Sequence, residues 1–444
     1  MVVADAPRGR DPVRVSPTVA VLPWGDLLED FLDPLGLEIE DYAASMTGGW
    51  LFGYVDALAR AGVRTVLVCV SQRVTAPQRH VHRGTGAHIW VLPATRAYRL
   101  VRRQLADPYA WDRSGAAGDR SGARALASAV ARHVAPYLST PLRPLARLLR
   151  QEGCDAVLCQ EYEEARFDVV AVLGAALRLP VSATFQGGTA ARTLLERRVR
   201  RRTLRLATML VVASSPEAER LQRERAVPAQ RIAAIPNPLD LQEWAPGDRE
   251  RARSVLGIPQ AARVVVWHGR VEVHRKGVDV LLDAWEQVLA AQPGTVLQLL
   301  LVGTGRDADR LRERLDSGVR GVRWLDRYTV DRDELRTYLH AADVAVLSSR
   351  QEGFAVAPLE AMACGLPVVA TDVAGVRDLL PAGEADGGIV VPVGDPGALA
   401  AALGALLGDL PRARRTGSAA RARATSGYSP DAVGRSLREA LLPG

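Results

Sequence analysis

What most constrains the fold of this chain is an alternation that occurs twice. Short Val- and Leu-rich runs, almost unbroken by polar residues, alternate with longer segments of helical spacing. In the first half the runs are TVAVLP (18–23), RTVLVCVS (64–71), HIWVLP (88–93), AVLCQ (156–160), PVSATF (180–185) and MLVVAS (209–214). Gly, Pro and Ser bound them, and strands buried on both faces read this way. Amphipathic segments such as 50–61 and 124–135 lie between them. The second half repeats the plan with VVVWHG (264–269), VLQLLLVG (296–303), VRWLD (322–326), VAVLSS (344–349), PVVAT (367–371) and GIVVPV (388–393).

Such β-α-β alternation predicts doubly wound parallel sheets. With 444 residues the chain exceeds one ordinary domain. The break falls near 235–262, a stretch with four prolines and a polar cluster. The expected fold class is α/β: two Rossmann-like parallel-sheet domains facing across a cleft, over 18–237 and 238–425. Residues 1–17 read as a loose tail, and 426–444 as a terminal helix able to pack back on the first domain. Ligands of such sheets bind beyond the carboxyl ends of strands, so chemistry is expected in the cleft.

The 57 basic residues are all arginine except one, Lys276, and the chain holds a single asparagine, Asn237. Codon bias that favours arginine should have removed both. A position that needs a compact point charge rather than a planar fork resists that drift. The formal charge of +7 suits anionic partners such as nucleotides or phospholipid surfaces, and it also follows from the arginine bias itself. The four cysteines, at 69, 154, 159 and 364, have no C-x-x-C spacing and no nearby histidine. They read as small buried hydrophobes in a reducing compartment. No signal-like apolar core opens the chain and no run approaches a membrane span, which makes a cytoplasmic protein the expectation.

The densest cluster is SSRQEGFAVAPLEAMACGLPVVATDVAGVRDLL (348–380). A strand ends at Ser349, a loop carries Glu352 and Gly353, and a helix is expected over 357–363, stopped by Gly365 and Pro367. Glu352 and Glu360 would lie about 12 Å apart along a helix. Hydrolytic carboxylate pairs work at shorter range across one bond. The spacing instead suits two grips on one ligand. The N–H groups of Phe354, Ala355 and Val356 lie between them, at a helix start that favours an anion. Taken alone, the two residues could also be a loop glutamate and a solvated helix glutamate.

The pattern E-G-F-x-x-x-x-L-E-A-M-A-x-G-x-P-V-V-A-T resembles the donor-binding signature of retaining glycosyltransferases of the GT-B fold, in the large family 4. GRVEVHRKG (269–277) is similar to that family's G-R-x-x-x-x-K-G segment, with five residues rather than four between Arg270 and Lys276. LVGTG, IPNPLD and TGGWLFGYVDALARAGVRTVLV also have counterparts in the family. The resemblance implies that Arg270 and Lys276 hold a donor diphosphate and that Glu360 accepts both ribose hydroxyls. It places Glu352 near the sugar as the carboxylate of the catalytic site and brings the Gly48–Gly49 turn to the diphosphate. Gly303 and Asp326 join the donor site. Gln186 stands where the family often has a histidine facing the sugar, so an ionisable role is lost there. Asn237 matches a position that caps a turn at the linker. The implied reaction moves a hexose, glucose foremost, from a nucleotide diphosphate sugar, UDP-sugar foremost, to a hydroxyl acceptor such as a small natural product. Configuration is retained, and neither metal nor cofactor is needed.

Three other readings stand beside this one. VGTGRDA (302–308) follows a strand as G-x-G-x-x-A, with Asp326 ending the next strand, like the fingerprint of a nicotinamide or flavin enzyme. Such a fingerprint normally opens its domain, whereas a full strand–helix unit precedes this one. Asp307 and Asp309 form a D-x-D pair that could hold a metal, but at a helix start they serve the dipole. A GT-B protein that binds without catalysis would not need Arg270, Lys276, Glu352 and Glu360 together. Finally, ERRVRRRTLR (196–205) holds six arginines. It reads as a solvated helix face, or as a docking face for an anionic membrane. No aromatics interleave the arginines, so nucleic acid is not expected.

Overall fold

The computed structural model describes residues 16–442 except 24, 34–35, 46–48, 103–132, 188–193, 328 and 330. Residues 1–15 of the expected tail, Gly48, and most of segment 124–135 therefore lie outside the described residues.

Two sheets carry the architecture. The first contains β1 (Thr18–Leu22), β2 (Arg64–Ser71), β3 (Gln78–Val81), β4 (His88–Pro93), β5 (Ala156–Gln160), β6 (Val181–Thr184), β7 (Leu210–Val212) and β8 (Ile232–Ala234). Its order is β3-β4-β2-β1-β5-β6-β7-β8. The second contains β9 (Arg263–His268), β10 (Leu297–Val302), β11 (Val322–Leu325), β12 (Val344–Leu347), β13 (Val368–Thr371) and β14 (Gly388–Val391). Its order is β11-β10-β9-β12-β13-β14.

All twelve apolar runs form strands, for a visible reason. Val19 and Val21 of β1 enter one core layer while Ala20 and Leu22 enter the layer on the other face. Val264 and Val266 of β9 divide from Val265 and Trp267 in the same way. Helices on both faces leave no room for polar side chains. The two further strands sit at the edges of the first sheet. β3 pairs antiparallel with β4 and is largely exposed, and β8 is three residues long. An edge strand with one partner needs no continuous apolar run, so neither left a signal.

Each sheet reverses its winding beside its first strand, at β1/β5 in the first and at β9/β12 in the second. These switch points open crevices at the carboxyl ends of the strands. The chain crosses between lobes twice. Leu239 N donates to Tyr428 O at 2.9 Å. The last helix, Pro430–Leu441, then buries Val433, Leu437 and Leu441 in the core of the first lobe, against the helix Gly49–Arg60.

Three expectations are corrected or refined here. Asn237 is 2% exposed and its Oδ1 accepts no hydrogen bond from the described residues, so it forms no side-chain-capped turn. Arg200, inside the arginine run, is not solvated. It is 2% exposed, grips Asp168 through Nε at 2.8 Å and Nη2 at 2.9 Å, and reaches Glu163 at 3.0 Å. Helical spacing turns this arginine inward from the helix Leu194–Thr203, while Arg197, Arg198, Arg201, Arg202 and Arg205 stay exposed. The cysteines are free thiols; three are buried, Cys154 partly so, and burial pushes all four up to about 12, far from a reactive thiolate.

Candidate active site

The crevice at the carboxyl ends of β9 and β12 gathers most of the motif residues. After β9 the chain makes a compact turn from Gly269 to Gly277 before the helix Val278–Ala291. Val271 N donates to Thr304 O at 3.0 Å, and Val273 N to Asp307 Oδ2 at 2.8 Å. Lys276 is held at both ends: its N–H donates to Glu272 O at 2.8 Å, and Ser348 Oγ donates to its carbonyl at 2.9 Å. Lys276 Nζ donates to Glu352 Oε1 at 2.7 Å, and Ser349 Oγ donates to the same oxygen at 2.5 Å. The Glu352 side chain is 7% exposed. The five-residue spacing in the loop thus still delivers the lysine to the carboxylate.

Arg270 is not drawn into this pair. Its side chain is 57% exposed and lies 3.7 Å from Glu272, which also faces Arg275 at 3.5 Å and Arg306 at 3.7 Å. Three arginines converge on one buried carboxylate at the rim of the crevice. A phosphate group offers arginine a better-matched pair of oxygens than a shared carboxylate does.

Beyond Glu352 the chain turns at Gly353 into the helix Val356–Ala363, which starts one residue earlier than the sequence suggested. Phe354 and Ala355 are each 9% exposed, and the Phe354 ring lies 6.3 Å from that of Tyr428. This packing fixes the loop, so the backbone N–H groups of Phe354, Ala355 and Val356 precede or open the helix. Pro358, in the first turn, has no N–H to forfeit there.

Glu360, one turn further, is not a solvated helix glutamate. Burial pushes its carboxyl up to about 8. His268, the last residue of β9, brings Nε2 to 3.7 Å from Glu360 Oε2 and 3.3 Å from Ala357 O. Burial pushes this imidazole down to about 4.

Gly303 follows β10 at φ +131°, and a Cβ there would lie 2.0 Å from Gly269 O, so only glycine lets these two turns touch. Asp326 is already engaged: Thr304 Oγ1 donates to it at 2.6 Å and Arg312 to its other oxygen. The fingerprint-like stretch 303–308 follows β10, not the switch-point strand β9. Asp307 and Asp309 diverge: one braces the Lys276 loop through Val273 N, while the other is 92% exposed beside Arg312. Among the described residues no group of three or more His, Cys, Asp and Glu forms a metal-binding cluster.

The first lobe meets this crevice at Gln186 and Gly187. A Cβ on Gly353 would stand 2.4 Å from Gly187 N, so the two lobes approach here backbone to backbone. Glu161, just past β5, holds this turn by accepting Gln186 N at 3.0 Å and Glu163 N at 3.0 Å. It is 4% exposed, adopts φ +83°, and burial pushes its carboxyl up to about 8. A non-glycine residue held in that region marks stored strain. Gln186 Nε2 reaches Thr184 Oγ1 at 3.3 Å. Gly49 begins the helix Gly49–Arg60, and Gly48 lies outside the described residues.

The sequence did not single out Glu161, His268 or Glu272, and it marked Ser349 only as a strand end, not as a partner of Glu352. The available signal was a polar residue at or just past the end of an apolar strand, which is where α/β sites form.

A family model described as Glycosyl transferases group 1 matches residues 262–409, and one described as Glycosyltransferase Family 4 matches 51–243. A D-inositol 3-phosphate glycosyltransferase from Geodermatophilus obscurus is 37% identical over 209 residues, 45% of this chain and 46% of that protein. A 2-deoxystreptamine N-acetyl-D-glucosaminyltransferase from Streptomyces fradiae is 31% identical over 251 residues, 56% of this chain and 57% of that protein. The chain spans about half the length of the curated relatives it matches. Sucrose-phosphate synthase from Thermosynechococcus elongatus superposes with a TM-score of 0.66 at 21% identity, covering 95% of this chain and 98% of that one. Anabaena HepE in complex with UDP gives 0.67 at 16% identity with the same coverage. At those identities the likeness is one of fold. The donor signature sits at the switch point of the second sheet; the chain carries a Glycosyltransferase Family 4 domain in its first lobe and a Glycosyl transferases group 1 domain in its second, on the GT-B fold.

Proposed function

We propose that the protein transfers a hexose, glucose foremost, from a UDP-sugar to a hydroxyl of a small-molecule acceptor, with retention of configuration. The observation that carries this reading is the Lys276–Glu352 pair, 2.7 Å apart at the mouth of the β9/β12 crevice and opposite the Gln186–Gly187 turn. The donor's diphosphate takes the ammonium, the N–H groups opening the helix Val356–Ala363, and Arg270 as it swings in from the rim. Cleavage of the sugar–phosphate bond leaves growing negative charge on the diphosphate, which fixed cations in a dry cleft stabilise. Glu360 takes the ribose hydroxyls. Gly303 and Asp326 border the nucleotide.

Glu352, released from Lys276 by the diphosphate, holds sugar hydroxyls and steadies positive charge at the ring. No second carboxylate adjoins it in the motif, so a covalent double displacement lacks its nucleophile. Attack on the face the leaving group departs from then accounts for retention, with the diphosphate taking the acceptor's proton. Similar proteins support the donor and acceptor classes: the HepE crystal structure holds UDP-glucose, and the relatives are a D-inositol 3-phosphate glycosyltransferase and a 2-deoxystreptamine N-acetyl-D-glucosaminyltransferase. Hydrolysis of a panel of nucleotide sugars without acceptor identifies the donor. Proton NMR of the glycoside formed on an added polyol acceptor reads the anomer: an α-product from an α-linked UDP-sugar is expected, and a β-product overturns retention.

The five exposed arginines of 196–205 flank Leu195 and Leu206, which are 72% and 45% exposed. A basic face with protruding leucines suits peripheral contact with an anionic membrane. Sedimentation with phosphatidylglycerol but not phosphatidylcholine vesicles is the expected result, and equal recovery with both rejects it.

A further inference from the structure

His268 occupies the end of the central strand β9, and its ring is directed at the helix that carries Glu360. Nε2 lies 3.3 Å from Ala357 O and 3.7 Å from Glu360 Oε2. Ala357 and Glu360 stand one turn apart on that helix, so a single ring nitrogen faces both. A carbonyl oxygen can only accept, which assigns the ring proton to Nε2. Burial keeps the imidazole neutral, with its titration pushed down to about 4, so this N–H is the donor the ring retains. Both side chains are mostly covered, His268 at 10% and Glu360 at 15% exposed. Among the described residues, no lysine, arginine or second histidine comes within 4.0 Å of the Glu360 carboxyl oxygens, so the neutral His268 ring is the basic side chain that faces them.

A carboxylate on a long side chain has several rotamers, and gripping two vicinal hydroxyls requires one of them. The Nε2–H is donated to Ala357 O, which fixes the ring on its rigid strand, and the same polar edge faces Oε2 at 3.7 Å, a dipole contact that favours the rotamer leaving Oε1 for the ligand. Metal-bound and catalytic side chains are oriented by partners behind them in the same manner.

We infer that His268 is a positioning residue for donor binding: it orients Glu360 so that the carboxylate receives the two ribose hydroxyls of a nucleoside diphosphate. The inference rests on the proposed donor role of Glu360. It adds a residue outside the donor signature and makes the strand end part of the nucleotide site.

The experiment measures binding of UDP and of 2′,3′-dideoxy-UDP by titration calorimetry to the full chain. Wild type is expected to prefer UDP by about tenfold, the scale of one or two net hydrogen bonds. His268→Phe preserves ring shape and removes the donor; UDP affinity should fall about tenfold while dideoxy-UDP affinity stays unchanged. His268→Gln returns an N–H near the Nε2 position and should restore most of the preference. If His268→Phe does not fold, His268→Asn, whose amide is too short to reach, carries the same comparison. Equal weakening of both probes by the His268 variants overturns the inference. So does a preference that Glu360→Gln abolishes and the His268 variants leave intact, and in that case the ribose role of Glu360 survives. A wild type that binds both probes alike removes Glu360 from the ribose and takes the inference down with it.

Discussion

Replacing Lys276 tests the centre of the site, and the surrounding geometry sets the size of the effect. The backbone cannot adjust there. The N–H of Lys276 is bonded to Glu272 O at 2.8 Å and its carbonyl receives Ser348 Oγ at 2.9 Å. Its neighbour Gly277 sits at φ +60°, where a Cβ would stand 1.9 Å from Ser348 O. An arginine at 276 must therefore fit by side-chain rotation alone. Its planar fork calls for two acceptor oxygens in one plane, yet Glu352 Oε1 is already shared with Ser349 at 2.5 Å. Lys276→Ala removes a fixed charged donor from the leaving diphosphate and should cut turnover about 100- to 1,000-fold, or about 2.7–4 kcal/mol. Lys276→Arg retains the charge but misplaces it, with an expected loss of about 10-fold or more. The assay is steady-state release of UDP from UDP-glucose at saturating donor, with kcat and kcat/KM determined separately. The variant Lys276→Ala/Glu352→Gln should be little worse than the poorer single variant, because the pair acts as one unit. Near-wild-type turnover in Lys276→Arg, or strictly additive losses in the double variant, would refute the argument for a point charge at this position.

Activity should survive EDTA, because Lys276, Arg270 and a helix start act on the diphosphate; activity lost in EDTA and restored by Mg²⁺ or Mn²⁺ would return attention to Asp307 and Asp309. Glu352→Gln should keep donor affinity within about 1–2 kcal/mol, since a hydrogen-bonding group remains, while turnover falls further. Intact-mass spectrometry during turnover should detect no glycosyl-enzyme, and an adduct one sugar heavier would revive double displacement. Glu360 titrates at about 8 in the folded protein against an ordinary 4.5. Its contribution to stability is then complete below pH 4.5 and is lost as pH rises through 8. Ligand-free Glu360→Gln should accordingly melt roughly 2–4 °C above wild type at pH 8.5, the shift for about 1 kcal/mol in a lobe of this size, and level with it at pH 4.5. Equal melting temperatures at both pH values would show that burial does not penalise the Glu360 charge.

Much of this molecule is written in local pattern. Twelve of the fourteen strands announce themselves as apolar runs, because a strand covered on both faces has no use for polar side chains. The donor motif is also local: Glu352, Gly353 and the helix carrying Glu360 lie within one strand–loop–helix unit. Codon bias made Lys276 visible as the single lysine. Other features depend on which strands become neighbours. Lys276 meets Glu352 across 76 residues because β12, not β10, lies on the β5-like side of β9 at the switch point, and no periodicity records that crossover. The same adjacency brings His268 to Glu360. The contact of Gly187 with Gly353 depends on how the two lobes face each other, and the burial of Arg200 on Asp168 and Glu163 supplied by distant helix and loop segments. An arginine run looks uniform along the chain, and only packing decides which of its members turns inward, because a charge can be buried only where opposite charge already awaits it.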